Sequence, residues 1–241
     1  MDLIEANINN LTGLWRIAGR LAGQYMEGPD FSLSIAGSGD WPNKLWFSRP
    51  VDQQIVAGIP HRHLDKLAIP IWGNDLSTQE LMLKNQGFFV KSEQVAMSIK
   101  LDETPAHLGR LVARKVTNER MALTWSQLFQ EAFGYSISAD TVIKTMWDIA
   151  YFIGADEEVP VGTAVLFMDE YGIAGIHSMG VVPSQRRKGY ARDLLVHLLN
   201  IARIKGAAHA TLQASQMGKG VYLQTGFQED FNIKTFIKHK N

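Results

Sequence analysis

Arg186, Arg187 and Lys188 stand immediately before Gly189, and Tyr190, Ala191 and Arg192 follow it. Ahead of them the run from Ile176 to Pro183 is mostly apolar, with β-branched Ile176, Val181 and Val182, as in a buried strand, and it stops at a proline that cannot donate to a neighbouring strand. Behind them Ala191, Leu194, Leu195, Leu198 and Ala202 recur at the spacing of one helix face. A strand, a basic loop holding a glycine and a helix, in that order, gather free backbone N–H groups, the positive end of a helix dipole and several cations at one point. Such a point binds phosphate or pyrophosphate. Small residues at 189 and 191 let the anion approach the backbone.

The pattern Arg186-x-x-Gly189-x-Ala191 resembles the acyl-CoA signature of the GCN5-related N-acetyltransferase (GNAT) superfamily. A second segment, Ala214-Ser215-Gln216-Met217-Gly218 followed by Tyr222-Leu223-Gln224-Thr225-Gly226-Phe227, is similar to that superfamily's Ala-Ser-x-x-Gly lead and Tyr-x-x-x-Gly-Phe motif. The resemblance implies that backbone groups of Met179, Gly180 and Val181 pair with the pantetheine arm and polarise the thioester. It implies that N–H groups from Arg187 to Arg192 hold the pyrophosphate. Tyr222 would give a proton to the leaving thiolate, or else is a tyrosine packed on the sheet. Ser215 would bond the CoA arm or cap the next helix. Where many relatives carry a glutamate this chain has Gly175. His177, at the same strand parity as Met179, is then the candidate base, set against its reading as a core histidine. The acidic turn residues Glu157, Glu158, Asp169 and Glu170 read as solvated strand ends. The implied activity is transfer of an acetyl or other acyl group from acetyl-CoA, as co-substrate and without a metal, to an amine of a small molecule or peptide. The competing reading is a catalytically inactive CoA-binding sensor or partner-docking module. Gly175 and the degenerate first half favour it, whereas Tyr222 and the complete Arg186-x-x-Gly189-x-Ala191 loop disfavour it.

The elements that must position these residues follow from periodicity. From about Arg110 the order is β-α-α-β-β-β-α-β-α-β, which the superfamily shares. The expected class is α/β, a mixed and mostly antiparallel sheet flanked by helices. Trp125, Phe129, Phe133 and Trp147 are core candidates that could also line an acceptor groove. In the first half a helix runs from Ala6 to Tyr25, and strands cover 31–36, 44–48 and 67–72. A helix opens at Ser77 with Glu80 in capping-box position and closes at Gly87, and 90–101 is extended. Leu83-Lys84-Asn85-Gln86-Gly87-Phe88 parallels Tyr222 to Phe227. Residues 1–104 therefore read either as a degenerate second copy, in tandem with a catalytic domain at 105–241, or as an unrelated α/β domain. Gly37-Ser38-Gly39-Asp40 lacks the helix that a dinucleotide loop requires and reads as a turn. His61-Arg62-His63 with Asp65 reads as a solvated turn rather than a metal site.

Composition closes off other classes. With no cysteine, the chain has no disulfide, no thiolate metal site and no acyl-cysteine intermediate. Lys+Arg and Asp+Glu balance at 24 each, so no global field favours nucleic acid or an anionic membrane. The acidic N-terminus lacks a leader core, and no apolar run is long enough to span a bilayer, so a cytoplasmic protein is expected. A homodimer is compatible with this composition.

Overall fold

The computed structural model describes residues 2–59, 64, 66–101 and 109–238. The His61-Arg62-His63 and Asp65 cluster lies outside them. α1 (Leu3–Ala22) starts where the Asp2 carboxylate accepts the Ile4 N–H at 2.9 Å, and it buries Leu11, Leu14, Trp15 and Ala18. The apolar pattern carries the helix on to Tyr25, yet the chain leaves it at Ala22 and becomes β1 (Gly23–Glu27). The cause is a close backbone crossing: a Cβ on Gly23 would lie 2.0 Å from the Ile35 carbonyl oxygen. β2 (Phe31–Ala36) and β3 (Lys44–Phe47) complete a three-stranded antiparallel sheet. α2 (Gln53–Ala57), too short to show a period, is capped by Asp52. β4 (Ile69–Gly73) follows, then α3 (Ser77–Asn85) and β5 (Phe88–Lys100). No capping box forms on α3: Leu76 is its N-cap residue, the Asp75 carboxylate takes the Ser77 N–H, and Glu80 pairs with Lys84 and Lys234.

The second half runs in the expected order. It contains β6 (Leu111–Lys115), α4 (Glu119–Phe133), α5 (Ala139–Thr145), β7 (Ala150–Asp156), β8 (Val159–Met168) and β9 (Ile173–Val181). These are followed by α6 (Tyr190–Ile204), β10 (His209–Ser215), α7 (Lys219–Gln224) and β11 (Gln228–Lys238). Asn118 caps α4 through the Met121 N–H at 2.9 Å, and Gly134 closes it in the left-handed region.

The large sheet has eight strands in the order β4-β11-β5-β10-β9-β8-β7-β6. All its pairs are antiparallel except β9 with β10. It is the mixed, mostly antiparallel sheet expected. One face buries Leu14, Trp15, Trp125, Phe129 and Tyr151 with α1, α4 and α5. The other buries Leu194, Leu195, Leu198 and Ala202 of α6 against Ala174, Ile176, Leu212 and Ala214.

Sequence order and sheet order part company at the middle. β5, from the first half, lies between β10 and β11, while β11 lies between β5 and β4. The 1–104/105–241 division falls in the undescribed stretch 102–108, and the sheet crosses it. β3 meets β4 in a parallel bridge, Lys44 with Ala68, as β9 meets β10 in parallel. In each half the second of these strands is followed by a short helix, a Gly-Phe pair at 87–88 or 226–227, and a long strand that joins the other half's edge.

Candidate active site

β9 and β10 pair only from Ile173/His209 to Ile176/Leu212 and then separate. Just beyond that point β9 carries a bulge. Thr163 faces Gly180 and Val165 faces His177, so Ser178 and Met179 together oppose Ala164. Ser178 takes φ 49°, and its carbonyl accepts the Thr163 hydroxyl at 3.1 Å. A bulge re-aims the strand that holds it, here at the edge that β10 has released.

The split opens into a cleft of about 530 Å³. Its wall includes Met179, Gly180 and Val181 from the strand, and Arg186, Arg187, Gly189, Tyr190, Ala191 and Arg192 from the loop and the head of α6. Ser215 and Tyr222 complete it. Lys188 does not line the cleft; its Nζ is held by Gln185 Oε1 at 2.7 Å.

The loop is shaped for an anion. After a 3-10 turn at Pro183–Gln185, Arg187 and Gly189 take φ 63° and φ 85°. Gly189 is the N-cap of α6 and no side chain caps the helix, so its first N–H groups remain available. Nothing lies within 4 Å of a Cβ placed on Gly189, so the chain itself demands glycine for its φ and not for space. Arg186 clasps the loop to the scaffold, with Nε donating to Val181 O at 3.1 Å and Nη2 to Ala132 O at 3.0 Å. Tyr190 is a positioning group: its hydroxyl donates to the Asp156 carboxylate and accepts from Arg110 Nη2 at 2.8 Å.

Tyr222 is 8% exposed, and burial pushes its phenol up to about 12. Its ring packs edge-on against Phe227 at 5.9 Å. A hydroxyl with that pKa stays protonated at neutral pH and is a hydrogen-bond donor to whatever occupies the cleft. Ser215 Oγ accepts the Gly218 N–H at 3.3 Å, the capping contact, while remaining on the cleft wall.

The family model described as Acetyltransferase (GNAT) family matches residues 121–227. Those residues are a GNAT acetyltransferase domain. A solved GCN5-related N-acetyltransferase from Kribbella flavida is 14% identical, with a TM-score of 0.70 over 98% of this chain and 97% of that one. Another from Sphaerobacter thermophilus is 17% identical, with a TM-score of 0.63 over 88% of this chain and 81% of that one. At such identities the likeness is one of fold, and it extends through the first half. No curated protein matches the sequence.

The GNAT domain does not bring His177 to its cleft. Burial, only partly opposed by a hydrogen bond to the Gln213 amide oxygen, lowers the imidazole to about 4. The ring nitrogens lie 3.0 Å from Asn10 Oδ1 and 3.1 Å from Gln213 Oε1. His177 and Gln213 follow the last paired residues of β9 and β10, so with α1 they close the base of the split. A Cβ on Gly175 would lie 1.8 Å from Asn10 Oδ1 and 2.3 Å from His177 Nε2. The first half therefore fills the space where a side chain at 175 would go. Sequence reasoning overlooked Asn7, Asn10 and Gln213. The available signal was a pair of asparagines on the apolar face of α1, which are 0% exposed here.

Of the aromatic residues considered for an acceptor groove, Trp125 and Phe129 are core, Phe133 lines the cleft, and Trp147 is 73% exposed. Among the described residues no three His, Cys, Asp or Glu side chains gather as a metal site, and no helix is long and apolar enough to cross a membrane.

Proposed function

We propose that the GNAT domain transfers an acyl group, acetyl in the simplest case, from acyl-CoA directly to an amine of a small molecule or peptide. The observation that carries this reading is the convergence on one cleft of the β9 bulge, the uncapped N-terminus of α6 and the protonated Tyr222. The first N–H groups of α6, with Arg187 and Arg192 beside them, suit a pyrophosphate. The released edge of β9 suits the amide-bearing pantetheine arm as an added strand. A main-chain N–H from 179–181 directed at the thioester oxygen would stabilise the developing oxyanion by about 3 kcal/mol in a site that excludes water. The amine nitrogen forms its bond to the carbonyl carbon and the C–S bond breaks; the departing sulfur accepts the Tyr222 hydrogen bond and takes up its proton. The proton lost from the amine passes to water, because no imidazole or carboxylate is assigned as base, and, carried by water, it restores the phenol.

That missing base also favours a second reading, in which the domain binds CoA without turnover. Calorimetric titration with acetyl-CoA, followed by a thiol-release screen of amines, amino acids and peptides, separates the two. Binding with amine-dependent release of CoA thiol is expected. Binding without release across the panel selects the sensor reading, and absence of binding removes both.

A further inference from the structure

The first half holds a second cleft, of about 520 Å³, lined by Arg16, Tyr25, Glu27, Trp46, Arg49 and Trp72 among others. It lies where β3 and β4 diverge beyond their single parallel bridge, the counterpart of the β9–β10 split. A CoA pyrophosphate has no place there. The helix that follows β3 is α2, only five residues long, and the Asp52 carboxylate already occupies its N-terminus at 2.8 Å from the Ile55 N–H. Arg49, the cation of that loop, is spent on Asp30 and Asp52 at 2.7 and 2.8 Å.

Among the described residues, what the cleft offers instead is a cation with no ion pair, set among aromatic rings. Arg16 Nε is buried and has no hydrogen-bond partner among the described residues. An unmatched buried donor of a charged group is costly, and Arg16 as a whole is only half-buried and lines the cleft, where a ligand's carboxylate would meet its charge. Trp46 is 7% exposed and is fixed by ring contacts with Trp15 at 5.6 Å and Tyr25 at 6.2 Å. With Trp72 it supplies flat apolar surface. At the rim Glu27, which accepts the Tyr25 hydroxyl at 2.9 Å, supplies an anion for an ammonium group. A cation, an aromatic wall and a separate anion in one cleft of small-molecule size describe a zwitterion with an apolar side chain.

We infer that the β3–β4 cleft is a second ligand site, which binds a free amino acid with a hydrophobic side chain, its carboxylate on Arg16 and its body against Trp46 and Trp72. The site is separated from the β9–β10 cleft by β4, β11, β5 and β10, and it stands whether or not the GNAT domain turns over. Titration calorimetry of the full chain with phenylalanine, tryptophan and leucine, with and without saturating CoA, tests it. One of the three binding at a single site, unaffected by CoA and weakened at least about tenfold by Arg16→Met, the weight of one charge-assisted hydrogen bond, is the expected result. The ligand-side control needs no variant to fold: phenethylamine, tryptamine and isoamylamine, which lack the carboxylate, should bind at least about tenfold more weakly than their parent amino acids. Absence of binding at millimolar concentration overturns the inference. So does equal affinity of the decarboxylated analogue, equal affinity in a folded Arg16→Met protein, or displacement by CoA.

Discussion

Tyr222 and His177 are both buried, and burial gives them opposite uses. Burial keeps the Tyr222 phenol protonated, so under the proposed acyl transfer its contribution is a donated hydrogen bond or proton at the departing sulfur. Tyr222→Phe removes that donor and leaves the ring. Steady-state assays should show kcat lower by about 100-fold, the lower end of the range for a general acid, with acetyl-CoA affinity changed by less than about twofold. Loss of affinity in proportion to kcat would make the residue a binding group instead. Burial of His177 removes it from catalysis and makes it a stability sensor. Its folded pKa of about 4 is below the ordinary 6.5, so between those values the unfolded chain takes up a proton that the folded chain refuses. Stability is therefore unaffected above about pH 6.5, falls as pH drops below it, and has lost about 3 kcal/mol by pH 4. Urea unfolding at pH 7.5 and pH 5 should show this difference in the parent protein and a much smaller one in His177→Gln. Equal pH sensitivity in the two would assign the loss to other groups.

At the scale of elements, the head of α6 is where conformation and binding can be separated. Gly189→Val places a β-branched side chain at φ 85°, a strain of about 1–2 kcal/mol, at the N-cap whose turn presents the uncapped N–H groups. Calorimetry should show acetyl-CoA affinity reduced by tenfold or more, with only a modest fall in the thermal midpoint. Unchanged affinity would move the pyrophosphate away from this helix. This element was legible in the sequence because its causes are local: a proline to end the strand, a glycine to turn, and a helix-period stripe from Ala191 to Ala202. Tyr222 was legible for the same reason. The early end of α1 was not, because Gly23 leaves the helix to cross Ile35, twelve residues further along the chain and outside its own helical window. Nor was the fate of His177. Strand parity placed it correctly on one face of β9, but only tertiary structure shows that Asn10 of α1 and Gln213 of β10 occupy that face.

At the scale of the molecule, the two halves resemble each other in element order, and each gives its last strand to the other. Among the described residues β11 pairs with β4 and β5 alone, both from the first half, and β5 with β10 and β11 alone. α1 adds Asn7 and Asn10, whose side chains bond the backbone of β5, β8, β9 and β10. A tandem origin from one duplicated unit, which we propose from this arrangement, would thus have left two units that are distinct in sequence and inseparable in folding. Expressed alone, 105–241 would keep every residue of the β9–β10 cleft but leave β11 with no partner strand and the edge of β10 open, a template for aggregation. It should be insoluble or show no cooperative unfolding, and so should 1–104. Co-expressed as two chains cut within 102–108, they should assemble into a one-to-one complex that unfolds in a single transition and binds acetyl-CoA as the intact chain does. A cooperative transition in 105–241 by itself, at the midpoint of the full protein, would mean that the exchanged strands are an ornament of the sheet and not its centre.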